Sequence, residues 1–131
     1  MGERQERRDL AHAKARRLLL VDDEETLREV LAEVLASAAY EVEAYGEGAG
    51  ALEAIRAREF DYYVFDLVLP DLNGEELCRA VAARGQAVAR HVVLMTGYAT
   101  EGDEGECAGV RRLHKPFHYA ELLRTLNSLE A

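Results

Sequence analysis

Short apolar runs alternate with helix-spaced apolar stripes along this chain, and that alternation limits its fold more than any other feature. Residues 18–21 are an apolar run suited to a strand buried on both faces. Leu27, Val30, Leu31, Val34 and Leu35 follow at i, i+3, i+4, i+7 and i+8, the spacing of one helix face that starts near Thr26. Tyr40–Tyr45 alternates weakly and reads as a strand nearer the sheet edge, and a Gly-rich start leads into a helix over 48–58. Residues 62–65 predict a third strand ending at Asp66, 67–73 a loop, and Gly74–Ala83 a helix. A fourth strand is expected over 91–95, ending at Thr96, and a fifth over 110–114. Tyr119, Leu122, Leu123, Leu126 and Leu129 mark the last helix.

Five β–α units call for an α/β fold: a doubly wound parallel sheet with helices on both faces and right-handed crossovers. The 131 residues are enough for one such domain. Residues 1–16 are polar, lack a sustained apolar face and read as a charged tail or linker, so the domain is expected over 17–131. The chain has no apolar run near the roughly 18 residues of a membrane span and no apolar leader at its charged start. A net charge of −9 disfavours direct nucleic-acid binding. Cys78 and Cys107 have no metal-type spacing, which fits a reduced, cytoplasmic setting and not a disulfide framework. Cys78 is expected as a small core or half-buried residue and Cys107 as exposed and inert. His91, His114 and His118 show no convincing cluster.

In this architecture sites form beyond the carboxyl ends of the strands. The polar residues that follow the apolar runs are Asp22 and Asp23, Asp66, Thr96 and Lys115. The stretch Leu18-Leu19-Leu20-Val21-Asp22-Asp23-Glu24-Glu25 drives an apolar run straight into four acids. Like charges this close disfavour one another's ionised form, so the cluster asks for a cation. Mg2+ is a hard cation that takes carboxylate and carbonyl oxygens, and would relieve the crowding of Asp22, Asp23 and Asp66. A carboxylate is also a nucleophile toward phosphorus. Lys115, Thr96 and a backbone N–H would then meet the charge on the phosphoryl oxygens, with Gly97 letting that backbone come close.

The segments LLLVDDE, VFDLVLPDLNGEEL, VVLMTGY and HKPF stand in that order, each at a strand end. Together they resemble the receiver domain of two-component response regulators over roughly residues 17–129. The resemblance implies a flavodoxin-like sheet of order 2-1-3-4-5. It implies Asp66 as phosphoacceptor, Asp23 as direct metal ligand, Asp22 as a neighbour acting through metal-bound water, and the Val68 backbone carbonyl as a further ligand. It implies Thr96 as the switch hydroxyl, Lys115 as the phosphate-binding lysine, and a cis Lys115–Pro116 bond. The implied function is a signalling switch rather than a classical enzyme. A histidine kinase or histidine phosphotransfer protein stands upstream, and an unspecified protein or attached domain downstream. The chain reads as a free-standing regulator or as a receiver from a longer protein such as a hybrid histidine kinase, with the tail favouring the second.

The family pattern is broken twice. Arg112 stands three residues before the lysine, where an aromatic is usual, and is expected to stay at the surface because burial would strip its charge of water. Thr96 and Lys115 are 19 residues apart, fewer than usual, and the glycines at 102, 105 and 109 predict a short or displaced helix over 97–109 in which the response to phosphorylation concentrates. Three other functions compete. An interaction module never phosphorylated would keep the fold. A Mg2+-dependent aspartyl-phosphate phosphatase needs a second acid where Val68 stands. A flavodoxin-like cofactor site needs a phosphate loop where the sequence has Asp22-Asp23-Glu24-Glu25.

Overall fold

The computed structural model describes residues 16–97 and 107–129. Within them the chain runs β1 (Arg16–Val21), α1 (Glu25–Ser37), β2 (Tyr40–Tyr45), α2 (Gly48–Ala57), β3 (Tyr62–Asp66), α3 (Gly74–Ala83), a helical turn α4 (Val88–His91), β4 (Val92–Thr96), β5 (Arg111–His114) and α5 (Tyr119–Leu129). The strands form one sheet in the order β2-β1-β3-β4-β5. Every neighbouring pair is parallel. No helix among the described residues is long and apolar enough to cross a membrane.

Successive strand side chains point to opposite faces, so a central parallel strand must be apolar throughout. The two cores follow that parity. Leu18, Leu20, Val64, Val93, Met95 and Leu113 pack with Leu31 and Leu35 of α1 and Leu122 and Leu126 of α5. Leu19, Val21, Phe65 and Leu94 pack with Ala54 and Ile55 of α2 and Leu77 and Val81 of α3. A buried leucine in such a layer is worth about 2–5 kcal/mol against alanine. That sum of local terms holds five strand ends in line, with Asp66 paired to Met95 and Thr96 to His114.

Several boundaries move by a residue or more. Arg16, read as the end of the tail, pairs with Tyr40 and opens β1. Its guanidinium lies 4.8 Å from the Tyr40 ring centre, which gives the strand start a cation–π anchor. His91, expected in strand four, instead closes α4, and Val92 begins the strand. Val88 buries there and the His91 Nδ1 lies 2.9 Å from the Asp61 carbonyl, so the turn is held from both ends. Asn73 is more than a turn residue: its side chain accepts the Glu76 N–H at 3.0 Å and caps α3.

The helix expected over 97–109 lies, for residues 98–106, outside the described residues. Its last part, residues 107–109, is a turn closed by Val110 N–H to the Cys107 carbonyl at 3.2 Å. Cys107 is not exposed, as its Gly- and Glu-rich neighbourhood implied, but 2% accessible. The turn tucks it into the core beside α3, where a small apolar thiol fits. Arg112 is half-buried rather than at the surface, because its register with Leu94 sets it on the α3 side of the sheet.

Candidate functional site

The first acid follows β1. Asp22 is fully buried, and each of its oxygens has a partner: Oδ1 accepts the Glu24 N–H at 2.8 Å and Oδ2 accepts Lys115 Nζ at 2.7 Å. Its backbone is pinned on both sides, by its N–H to the Tyr45 carbonyl at 3.1 Å and by Arg28 Nη1 donating to its own carbonyl at 2.8 Å. Asp23 is exposed. Asp22 thus receives the Glu24 N–H, and α1 begins two residues after Asp23.

Asp66 is the last residue of β3 and 7% accessible. Its Oδ1 accepts the Val68 N–H at 3.2 Å and its Oδ2 accepts Lys115 Nζ at 3.2 Å. The loop beyond is closed by Gly74 N–H to Leu67 O at 2.7 Å and Leu69 N–H to Leu72 O at 3.2 Å, a pair that makes no use of the Val68 carbonyl. Gly74 packs closely here: a Cβ on it would lie 3.0 Å from the Asp66 carbonyl oxygen and 3.1 Å from the Leu67 Cα, so that backbone would have to give by a few tenths of an ångström. The same loop reaches sideways, where the Asp71 carboxylate accepts the N–H groups of Gly48 and Ala49, each at 2.8 Å.

Thr96 ends β4 and is 3% accessible. Its carbonyl accepts the Lys115 N–H at 2.7 Å, which sets the lysine backbone against the neighbouring strand end, and the Lys115–Pro116 peptide is cis. The lysine side chain, 22% accessible, then crosses the strand ends to join Asp22 and Asp66. One oxygen from each of Asp22, Asp23 and Asp66 can be chosen so that all three lie within 4.8 Å of one another, the span of a shared cation. Among the described residues they form a cluster of carboxylates able to hold a metal.

The electrostatics are those of a crowded, half-dry site. Burial pushes the Asp66 carboxyl above its ordinary value, and attraction to Lys115 pulls it part of the way back. Burial also opposes the Lys115 ammonium, but hydrogen bonds and charge from Asp22 and Asp66 outweigh it and raise the group overall. The lysine is therefore an internal cation for two of the acids, with Asp22 at the shorter distance. Asp22, Asp23, Asp66, Thr96 and Lys115 all gather at this one edge. Arg28 belongs to it as well and was missed. Its sequence signal was a cation in the first turn of a helix, where the macrodipole disfavours positive charge.

A family model described as the response regulator receiver domain matches residues 18–127. The chain belongs to that family. The receiver domain is 31% identical over 120 residues to the transcriptional regulatory protein GltR of Pseudomonas aeruginosa, covering 89% of this chain and 50% of GltR. It thus spans about half the length of the curated relatives it matches. Among solved structures it is similar to the receiver domain of the sensor histidine kinase PA1611 of Pseudomonas aeruginosa PAO1, crystallised with a magnesium ion coordinated in the active site cleft. That match has a TM-score of 0.76 at 30% identity and covers 89% of this chain and 99% of that one. It is also similar to the response regulator TrrA of Thermotoga maritima in complex with Mg2+ and BeF, with a TM-score of 0.74 at 25% identity, covering 87% of this chain and 98% of that one.

Proposed function

We propose that this receiver domain is a phosphorylation switch that accepts a phosphoryl group on Asp66 from a phosphohistidine donor, with Mg2+, and thereby changes its engagement of a partner or attached domain. The observation that carries this reading is the junction of three carboxylates within 4.8 Å with a lysine spanning two of them. The donor protein is a histidine kinase or histidine phosphotransfer protein, and the setting is the cytoplasm. The receiver takes in β1 from Arg16 onward, and residues 1–15 are its charged lead.

The donor set suits Mg2+: hard carboxylate oxygens at a strand edge where Asp23 is exposed and Asp22 and Asp66 are buried. Asp23 and Asp66 would hold the ion directly with the Val68 carbonyl, and Asp22 through bound water. When bound, Mg2+ supplies positive charge that draws the phosphoryl oxygens and offsets the acids.

The protein's own groups do the rest. An Asp66 oxygen attacks phosphorus, the P–N bond to the donor imidazole breaks, and its electron pair returns to that nitrogen. Lys115 favours the ionised Asp66 that attack requires, since its charge opposes the effect of burial. The same ammonium pairs with the phosphoryl oxygens afterwards, a charge-assisted contact. Thr96, at the adjacent strand end, donates its hydroxyl to the new group. The reaction modifies the protein itself, and Val68 stands where a turnover phosphatase would need an acid.

Intact mass measurement after incubation with acetyl phosphate and Mg2+ tests this reading. Wild type should gain one phosphoryl group and Asp66→Asn none. No gain in wild type, or an equal gain in both, overturns it; the first result leaves the fold as an interaction module.

A further inference from the structure

The chain has two cysteines, and the fold brings them together on the side of the sheet away from α1 and α5. Cys78 lies on α3 and is fully buried; Cys107 heads the turn before β5 and is nearly so. The Cys107 thiol donates to the Cys78 sulfur, with the two sulfurs 2.7 Å apart and the residues 29 positions apart in sequence. Two small core residues would satisfy packing with their side chains pointing anywhere in the layer. These two point at each other, and a disulfide needs sulfurs at about 2.05 Å, well under an ångström closer.

We propose that Cys78 and Cys107 are a redox modification site, a dithiol that closes reversibly to a disulfide by exchange with a disulfide oxidant and so fastens α3 to the turn that leads into β5. The step balances as thiol–disulfide exchange. One cysteine, deprotonated, attacks a sulfur of the oxidant, whose S–S bond breaks to release one thiol. The second cysteine then attacks the mixed disulfide and releases the other thiol. Two electrons leave the pair, and its two protons end on the two thiols of the reduced oxidant.

The surroundings set the character of this chemistry. The hydrogen bond from Cys107, and then burial, hold the Cys78 thiol far above its ordinary value, so that thiol is protonated and unreactive at rest. Exchange requires the 107–109 turn to open and bring a sulfur to water. Among the described residues the turn is closed by one backbone bond at 3.2 Å, and such a turn opens more readily than the strand it leads into. In a reducing compartment the pair stays a dithiol, and intracellular disulfides of this kind are typically transient and regulatory. The closed loop contains all of β4 with Thr96 at its end, and Lys115 follows β5, so the bond would brace the connection between two residues of the phosphorylation site. That consequence rests on the function proposed above; the bond itself does not.

The test uses the full chain in glutathione buffers spanning reduced to oxidised poise. Equilibrium is approached from the reduced folded protein and from protein oxidised while unfolded and then refolded, so that slow access is not read as absence. Thiols are trapped with an alkylating reagent, and the product is read by intact mass and peptide mapping. The expected product is a folded monomer lacking two hydrogen atoms, with a Cys78–Cys107 cross-linked peptide. It should re-reduce at reducing poise, and amide exchange over 107–110 should slow about tenfold in the oxidised form. Cys107→Ser should abolish the cross-link, and Asp66→Asn should leave it intact, which separates this inference from the phosphoryl one. Persistence of two alkylatable thiols from both directions, only intermolecular or glutathione-mixed disulfides, a cross-linked form that fails to fold, or unchanged exchange at 107–110 would each overturn it.

Discussion

Replacing Lys115 with methionine keeps the unbranched apolar stem of the side chain and removes its charged end. In the structure Nζ is 2.7 Å from Asp22 and 3.2 Å from Asp66, with Asp22 fully buried. At an effective dielectric near 20, each contact is a gross attraction of about 5–6 kcal/mol. Most of that is offset by taking the ammonium out of water, so the net value of the pairing is small. The cost of removing one partner is larger, because the carboxylates stay behind uncompensated. Buried pairs broken in this way lose about 3–5 kcal/mol, and the 22% accessibility of Lys115 puts the expectation at the lower end, about 3 kcal/mol. For a domain of this size that is a fall in Tm of roughly 12 °C. The assay is thermal unfolding by circular dichroism, in chelator and then in millimolar Mg2+, across pH.

The pH profile carries a sign. Lys115 is raised in the folded state, so its contribution is fully present below the ordinary lysine value of 10.5 and is lost as pH rises through the higher folded value. On the acid side the gap between wild type and variant closes as Asp66 protonates, beginning above its ordinary 3.8 because burial raises it. A plateau at neutral pH with a decline on both sides is therefore expected. Mg2+ should narrow the gap, since it supplies charge where the ammonium stood. A neutral-pH loss below about 1 kcal/mol, or a gap that widens with Mg2+, would refute the account of Lys115 as the internal cation of the site.

Asp66→Asn should stabilise the metal-free protein at neutral pH by up to about 1 kcal/mol, because burial makes the folded state prefer the neutral carboxyl. The advantage should shrink as pH falls through the raised value, where wild type also becomes neutral, and melting curves at neutral and acid pH check both halves. Gly48→Ala should destabilise by about 1–3 kcal/mol in urea unfolding, since the new Cβ would stand 2.3 Å from the Leu72 Cγ. Truncating Leu72 to alanine in the same chain should recover part of that loss; a neutral Gly48→Ala would show that the loop yields freely.

The parts of the fold legible in the sequence were those written in local periodicity. Residues 18–21, 62–65 and 92–95 are apolar without a break and became central strands, and the stripe of Leu122 and Leu126 became the buried face of α5. The site followed from one rule about strand ends, which drew Asp22, Asp66, Thr96 and Lys115 to one edge. What stayed illegible depends on contacts with no local signature. Lys115 reaches Asp22 across 93 residues, and the strand pattern could not say which acid it would favour. Cys107 sits among glycines and acids, and only its meeting with Cys78 makes its burial intelligible. Arg112 follows a position in the register that leaves it half-covered, whatever its charge prefers.

The carboxylate of Asp71 bears on how freely pieces of this protein can be exchanged with those of its relatives. Glu47, at the cap position of α2, gives no side-chain hydrogen bond to that helix, so the first two amides of α2 depend on a residue 23 and 22 positions further on. The start of one helix is thus encoded in the loop behind another strand. A chimera that imports 67–73 from a relative with no acid at the position of Asp71 leaves the Gly48 and Ala49 amides without their acceptor. The two segments form one transplantable unit although they are far apart in the chain, and crossover points for recombining this domain belong on either side of both.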